Sequence, residues 1–306
     1  MSSAILFMGM FGELSFRPLA GLIDSGASVC AVLVPASGAT ATAPQRLTPP
    51  APADDSLSVI SGYPTRNIVT LAWENYIPVY EVNSLSHPSV LSSLLSLHPD
   101  LIAVSCFPKI LPPSLLALPK LGAINLHPSL LPKYRGPEPL FWQFRNGETR
   151  AGVTLHFMNE RPDAGDILLQ TEVPFADGIT GAEAERLCAI AGSRLMGEGV
   201  KLLRGGNPPR QKQNEADATY FPNPTRADFV ISTDQPARRA FNFMRGANGW
   251  PWPFEIHVGD HAFQVRETIS FLPDAILGEP YHLEGDELQI QFSPGVLCLK
   301  SPSPKT

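Results

Sequence analysis

Four short apolar runs set the limits on what this chain can fold into: residues 4–9 (AILFMG), 29–34 (VCAVLV), 101–107 (LIAVSCF) and 122–127 (GAINLH). Each is strand-sized and far short of the roughly 20 apolar residues a membrane span needs. Between them, residues 16–25 and 88–99 place apolar side chains at helical spacing. Strand, helix, strand in that order implies parallel pairs joined by crossovers. The first half is therefore expected to be α/β, a doubly wound, mostly parallel, Rossmann-like sheet with ligands at the carboxyl ends of its strands. Gly9 and Gly12 follow the first strand as G-x-x-G, but Phe11 stands where the second glycine of a dinucleotide fingerprint belongs. Tight strand-to-helix packing is the better reading of that pair.

Residues 139–146 read as a helix containing Trp142, residues 151–158 and 166–175 as strands, and residues 180–203 as a long amphipathic helix. Thr180 is placed to cap that helix, with Glu183 at capping-box spacing. Residues 35–66 are rich in Ala, Pro, Ser and Thr, a composition that buries little and suggests a long, mobile surface loop near the mouth of the site. A second Pro- and Gln-rich stretch marks the strongest linker. It divides the chain into an α/β domain (residues 1–206), a linker (207–222) and a smaller, mostly-β, OB-like domain (223–306).

The charge balance of −6 offers no electrostatic footprint for a nucleic acid. The four cysteines (Cys30, Cys106, Cys188, Cys298) lack any C-x-x-C spacing, and the seven histidines lack an H-x-x-x-H pair. The thiols read as small buried hydrophobes, and no structural metal is expected. The N-terminus has neither a basic n-region nor a small-residue cleavage site, so cytoplasmic residence and no membrane association are expected.

The stretch INLHPSLLPKYRGPEP (residues 124–139) concentrates the polar chemistry. Asn125 and His127 fall two apart at the end of a strand, so their side chains share a face. An amide can hydrogen-bond a developing oxyanion, and an imidazole can move a proton between nucleophile and leaving group. On spacing alone, Asn125 as a turn cap and His127 as a loop residue before Pro128 is the better reading. Asp163 and Asp166 lie in a glycine turn before a strand, where a carboxylate reaching His127 would set its tautomer and stabilise its imidazolium. No G-x-S-x-G occurs, and Cys106 has no adjacent His, which favours direct attack by a substrate nucleophile.

INLHPSLLPKYRG, followed about 25 residues later by DAGDILLQ, resembles the folate-dependent formyltransferases. Their Asn-x-His loop and Asp-x-Gly turn align with Asn125, His127 and Asp163. Beyond the linker, Arg245-Gly246-Ala247-Asn248-Gly249-Trp250-Pro251 resembles the C-terminal OB-like domain of the family members that act on methionyl-tRNA. The resemblance implies formyl transfer from 10-formyltetrahydrofolate to a primary amine, with Asn125, His127 and Asp163 catalytic. It places Phe107, Lys109, Ile110 and Leu111 beside the folate. Ser129, Leu130, Lys133, Arg135 and Gly136 line the acceptor side, with Lys133 and Arg135 available to an anion. Methionyl-tRNA is the first expected acceptor. A small amine such as an amino-sugar nucleotide is the alternative, favoured by the scarcity of Lys and Arg in residues 35–66 and beyond Gly206. Hydrolysis of formyltetrahydrofolate is less expected, because such hydrolases usually carry an N-terminal regulatory domain and this chain opens on its first strand. A monomer or weak dimer is expected.

Overall fold

A computed structural model describes residues 3–36, 43–49 and 67–300 of the protein. The first strand, β1 (Ile5–Gly9), leads through α1 (Glu13–Asp24) to β2 (Val29–Pro35) and a short β3 (Gln45–Leu47). Next come α2 (Ile68–Glu74), β4 (Val79–Val82), α3 (Pro88–Leu95), β5 (Leu101–Ser105), α4 (Pro113–Leu116) and β6 (Ala123–His127). They are followed by α5 (Pro139–Asn146), β7 (Arg150–Phe157), β8 (Ile167–Pro174) and α6 (Gly181–Arg204).

All eight strands join one sheet in the order β3-β4-β2-β1-β5-β6-β7-β8. The run β4-β2-β1-β5-β6 is parallel, while β3 and β7 pair antiparallel to their neighbours. Strand order runs outward from β1 to β2 and β4, then reverses to β5 and β6, so the switch point lies between β1 and β5. Every residue of β1 and β5 is buried, as expected of parallel strands covered on both faces. The doubly wound sheet expected from the apolar runs is therefore present.

At the switch point, Gly9 is a packing residue. A Cβ there would sit 2.9 Å from Ser15 Oγ, whose hydroxyl donates to the Ser105 carbonyl at 2.7 Å. The G-x-x-G pair thus closes α1 onto β1 and β5. Most of the Ala/Pro-rich segment expected as a mobile loop lies outside the described residues. Within it, Gln45–Leu47 is not loop but an edge strand on β4.

Contacts divide the chain into two compact units, neither a single run of sequence. The first comprises residues 1–135, 152–173 and 186–220, so it takes in most of the expected linker. The second comprises residues 136–151, 174–185 and 221–306. It adds β9 (Val230–Ile231), α7 (Ala237–Gly246), β10 (Phe254–Val258), β11 (His261–Val265) and β12 (Thr268–Leu272), then β13 (Tyr281–Glu284), β14 (Glu287–Gln291) and β15 (Val296–Lys300). Its strands form two small sheets, β11-β10-β9 and β12-β15-β14-β13, giving the smaller mostly-β part. Its core is aromatic, with Phe229 lying 5.2 Å from Phe141 and 5.4 Å from Phe254 between ring centroids. Such rings bury large areas and add edge-to-face attraction, which lets a small unit cohere. Among the described residues no helix is long and apolar enough to cross a membrane.

Within the first unit, α6 lies close over β6 and β7 through glycines seven residues apart. A Cβ on Gly192 would be 2.4 Å from Leu126 Cδ2, and one on Gly199 would be 2.3 Å from Leu155 Cδ2. Leu126 sits between Asn125 and His127, so this helix contact presses on the strand that carries the polar pair. Gly192→Val is expected to cost about 1–3 kcal/mol through overpacking, read as a lower urea midpoint with unchanged slope. A Cβ on Gly197 would meet nothing within 4 Å. Gly197→Ala should therefore gain roughly 0.5–1 kcal/mol of helix propensity, and a loss there would contradict the packing assignment.

Candidate functional site

The polar residues gather at the carboxyl end of β6, within the first unit. In the β6–β7 register Asn125 faces His156 and His127 faces Thr154. Directly opposed residues share a face, so period two on both strands brings four polar side chains to one side of an otherwise apolar sheet. His127, Thr154 and His156 are 4%, 0% and 1% exposed. Polar groups this deep must be hydrogen-bonded, and their partners define the site.

His127 Nε2 lies 2.8 Å from the Tyr134 carbonyl oxygen. A carbonyl only accepts, so Nε2 carries the hydrogen, and the neutral ring presents a bare Nδ1. That Nδ1 is 3.7 Å from Asp163 Oδ1, beyond hydrogen-bond length but within strong electrostatic reach. The tautomer is thus set by Tyr134 and not, as expected from the sequence, by a carboxylate of the Asp163 turn. Burial pushes the His127 pKa below its ordinary value, against the opposing pull of the Asp163 carboxylate and the Tyr134 carbonyl; His156 adds to the lowering.

His156 is the residue that the sequence reading missed. Its Nδ1 donates to the Phe157 carbonyl at 2.9 Å, which leaves Nε2 to accept from Asn125 Nδ2 at 3.2 Å. This contact orients the Asn125 amide and uses one of its two amide hydrogens. The same Asp163 Oδ1 that faces His127 is also 3.7 Å from His156 Nε2. The signal was available in VTLHF, where Thr154 and His156 alternate with apolar residues as Asn125 and His127 do.

Asp163 holds its position through an unusual backbone. It has φ 54° in the left-handed region, and Gly165 after it packs so tightly that a Cβ would lie 1.7 Å from the Phe157 carbonyl oxygen. Only glycine fits there, which explains the Asp-x-Gly spacing. Asp166 is apart from this cluster, 4.0 Å from Arg210.

The loop after β6 is held from beneath. Thr154 Oγ1 donates to the Ser129 carbonyl at 2.7 Å and accepts from Leu131 N, and Gln170 Nε2 reaches both Thr154 Oγ1 and the Leu131 carbonyl. Ser129, fully buried, closes the loop on the Lys133 carbonyl at 2.8 Å, and Leu130 packs over Gly152. Arg135 is 7% exposed, with its guanidinium committed to Gln213 Oε1 and to both carboxylate oxygens of Glu215. Its guanidinium is thus already engaged within the first unit. Gly136 belongs to the second unit, where a Cβ would lie 2.0 Å from the Phe221 carbonyl oxygen. Of the expected acceptor-side residues, Lys133 alone is exposed.

The residues expected beside a folate split in two. Leu111, 3% exposed, belongs to the core beneath the sheet, and Phe107 packs against that core. Ile110 is 74% exposed, and Lys109 is half-buried. Met10 and Phe11, following β1, are also exposed. Exposed apolar side chains after β1 and β5 therefore stand at the switch point. Among the described residues no cluster of three or more His, Cys, Asp or Glu could hold a metal ion.

Comparison with known proteins follows the same lines. The formyl transferase family matches residues 21–197. A methionyl-tRNA formyltransferase of Clostridioides difficile is 41% identical over 181 residues, covering 59% of this chain and 59% of that relative. One from Geotalea uraniireducens is 36% identical over 256 residues, covering 83% of this chain and 76% of the relative. The crystal structure of WlaRD, a sugar 3N-formyl transferase in the presence of dTDP and 5-N-formyl-THF, covers all of both chains with a TM-score of 0.68. At 14% identity that is a likeness of fold. The family match and the Geotalea relative cover most of the chain, and they fall on the sheet, loop and turn that build the His127 cluster. The chain belongs to the formyl transferase family.

Proposed function

We propose that the protein transfers a formyl group from 10-formyltetrahydrofolate to a primary amine, and that the amine is that of methionyl-tRNA. The observation that carries the reaction is the bare Nδ1 of a buried, neutral His127 facing a carboxylate beside the Asn125 amide. A proton acceptor that is neutral at working pH, next to a charge that stabilises its protonated form, is what attack by an amine requires. The folate supplies an activated formyl group. Its rings would pack against the exposed Met10, Phe11 and Ile110 after β1 and β5, with Lys109 and the backbone around Phe107 and Leu111 meeting its polar edges.

In this reading His127 Nδ1 takes the proton from the attacking amine, and Asp163, 3.7 Å away, stabilises the imidazolium. The second amide hydrogen of Asn125 donates to the formyl oxygen as it gains negative charge, from an amide already oriented by His156. His127 then returns the proton to the departing nitrogen. Lys133, exposed on the loop, is the cation offered to an anionic acceptor, while Ser129, Leu130, Arg135 and Gly136 shape the loop around it.

The acceptor rests on the relatives named methionyl-tRNA formyltransferase, at 36–41% identity, and that reading places the protein in the cytoplasm. One observation favours the small-amine alternative. The whole charge of −6 lies on the second unit, with 9 Lys and Arg against 15 Asp and Glu, while the first unit is balanced at 14 of each. A polyanion gains affinity through several phosphate contacts, and an acidic unit supplies few.

His127→Ala should lower kcat by about 10²–10⁴-fold, the usual worth of a general acid–base group, with the protein still folded by circular dichroism. Because burial lowers the His127 pKa and the neutral ring is the active form, activity should be retained on acidification through the ordinary histidine range. It should fall only below that range; an acid limb in kcat at or above about pH 6.5 would contradict the assignment. Pure enzyme given 10-formyltetrahydrofolate and either charged initiator tRNA or a panel of amino-sugar nucleotides should formylate the tRNA. Formylation of a sugar alone, insensitive to salt, would move the acceptor to the small amine.

A further inference from the structure

The segment joining α6 to the second unit carries no residue of the cluster, yet it touches two of the residues that face His127. Residues 211–220 are pinned at two ends. Gln211 and Ile167 exchange backbone hydrogen bonds at 2.8 and 3.0 Å, just after the Asp163 turn, and Tyr220 bridges to Arg135. Between these anchors, Gln213 Nε2 donates to the Asp163 carbonyl at 2.8 Å and the Gly165 carbonyl at 2.7 Å, while its Oε1 accepts from Arg135. Thr219 Oγ1 accepts from Tyr134 N at 2.8 Å, the Thr219 carbonyl accepts from Arg135 N at 2.9 Å, and Thr219 N donates to the Pro132 carbonyl.

Both residues held in this way are in the left-handed region, Asp163 at φ 54° and Tyr134 at φ 61°. A non-glycine residue there costs of order 1–3 kcal/mol and persists only where its surroundings enforce it. Each of the two contributes one face of the His127 environment: the Tyr134 carbonyl holds Nε2–H, and the Asp163 carboxylate faces Nδ1.

We infer that the strap of residues 211–220 is a positioning element of the site, in which Gln213 holds Asp163 and Thr219 holds Tyr134 in the strained conformations that fix the charge beside His127 and its tautomer. The first compact unit is therefore complete only with a segment that reads from sequence as a linker. This rests on the role proposed for His127, and its test is chosen to separate the two.

Two variants and one rescue test it in the full chain. Gln213→Met keeps the side chain's length and loses its hydrogen bonds. Thr219→Val removes the hydroxyl and keeps the backbone contacts, and Thr219→Ser restores the hydroxyl. Gln213→Met should lower kcat roughly ten- to hundredfold, with KM for donor and acceptor nearly unchanged. The titratable groups facing His127 are Asp163, which raises its pKa, and His156, which with burial lowers it. Loosening Asp163 removes the raising influence, so the His127 midpoint in an NMR titration should move to lower pH in Gln213→Met. Thr219→Val should lower kcat less, and Thr219→Ser should recover it. If Gln213→Met melts too low to assay, the Thr219 pair decides the matter alone. Wild-type kcat in Gln213→Met, a kcat loss with an unmoved His127 midpoint, or failure of Thr219→Ser to rescue would each overturn the inference. A His127→Ala protein that still formylates would instead overturn the proposed reaction, while the titration of the strap variants would still judge the strap.

Discussion

The hydrogen bond from His127 Nε2 to the Tyr134 carbonyl, at 2.8 Å, is the contact on which the chemistry of the site turns. It commits one ring nitrogen to the protein and leaves the other bare, facing a carboxylate too distant to consume it. The carbonyl points there because Tyr134 takes a left-handed backbone, which a bulky side chain does not choose unaided. Much of the surrounding structure can be understood as what keeps that backbone in place. Ser129 ties the loop to Lys133, Thr154 and Gln170 hold it from β7 and β8, and Thr219 takes the Tyr134 amide. Strain at a functional position is sustained by redundancy around it.

The same logic explains why charged residues near the site are not free for ligands. The Arg135 guanidinium spans Gln213 and Glu215 and holds the Glu215 carboxyl below the usual carboxylate range. A planar, five-donor group suits such a bracing role better than a lysine would. Lys133, two residues earlier, is left exposed.

Much of the architecture was legible because burial leaves a simple periodic mark. The fully apolar runs of β1, β2 and β5 announced a covered parallel sheet, and Pro139–Asn146 was read residue for residue. The elements α2 and β4 went unread because they are short. Ile68–Glu74 depends on the Asn67 capping box, with its side chain accepting from Val69 N and Thr70 N, more than on any long apolar stripe. The linker was visible as composition, but not its function, because its contacts run through backbone groups and through Gln213 and Thr219, which have no periodicity. In the site, Asn125, His127 and Asp163 were legible from spacing and resemblance. His156 was not, since an alternating strand hides a polar residue among its inward positions until the partner register is known.

The most direct test is the protonation state of His127 in the unmodified protein. Nitrogen-15 NMR of imidazole-labelled protein at neutral pH distinguishes a protonated from a bare ring nitrogen. His127 should show hydrogen on Nε2 and a bare Nδ1, with Nδ1 gaining its proton only below the ordinary histidine range. A His127 that is already an imidazolium at neutral pH, or that carries its hydrogen on Nδ1, would contradict the role of proton acceptor proposed for it.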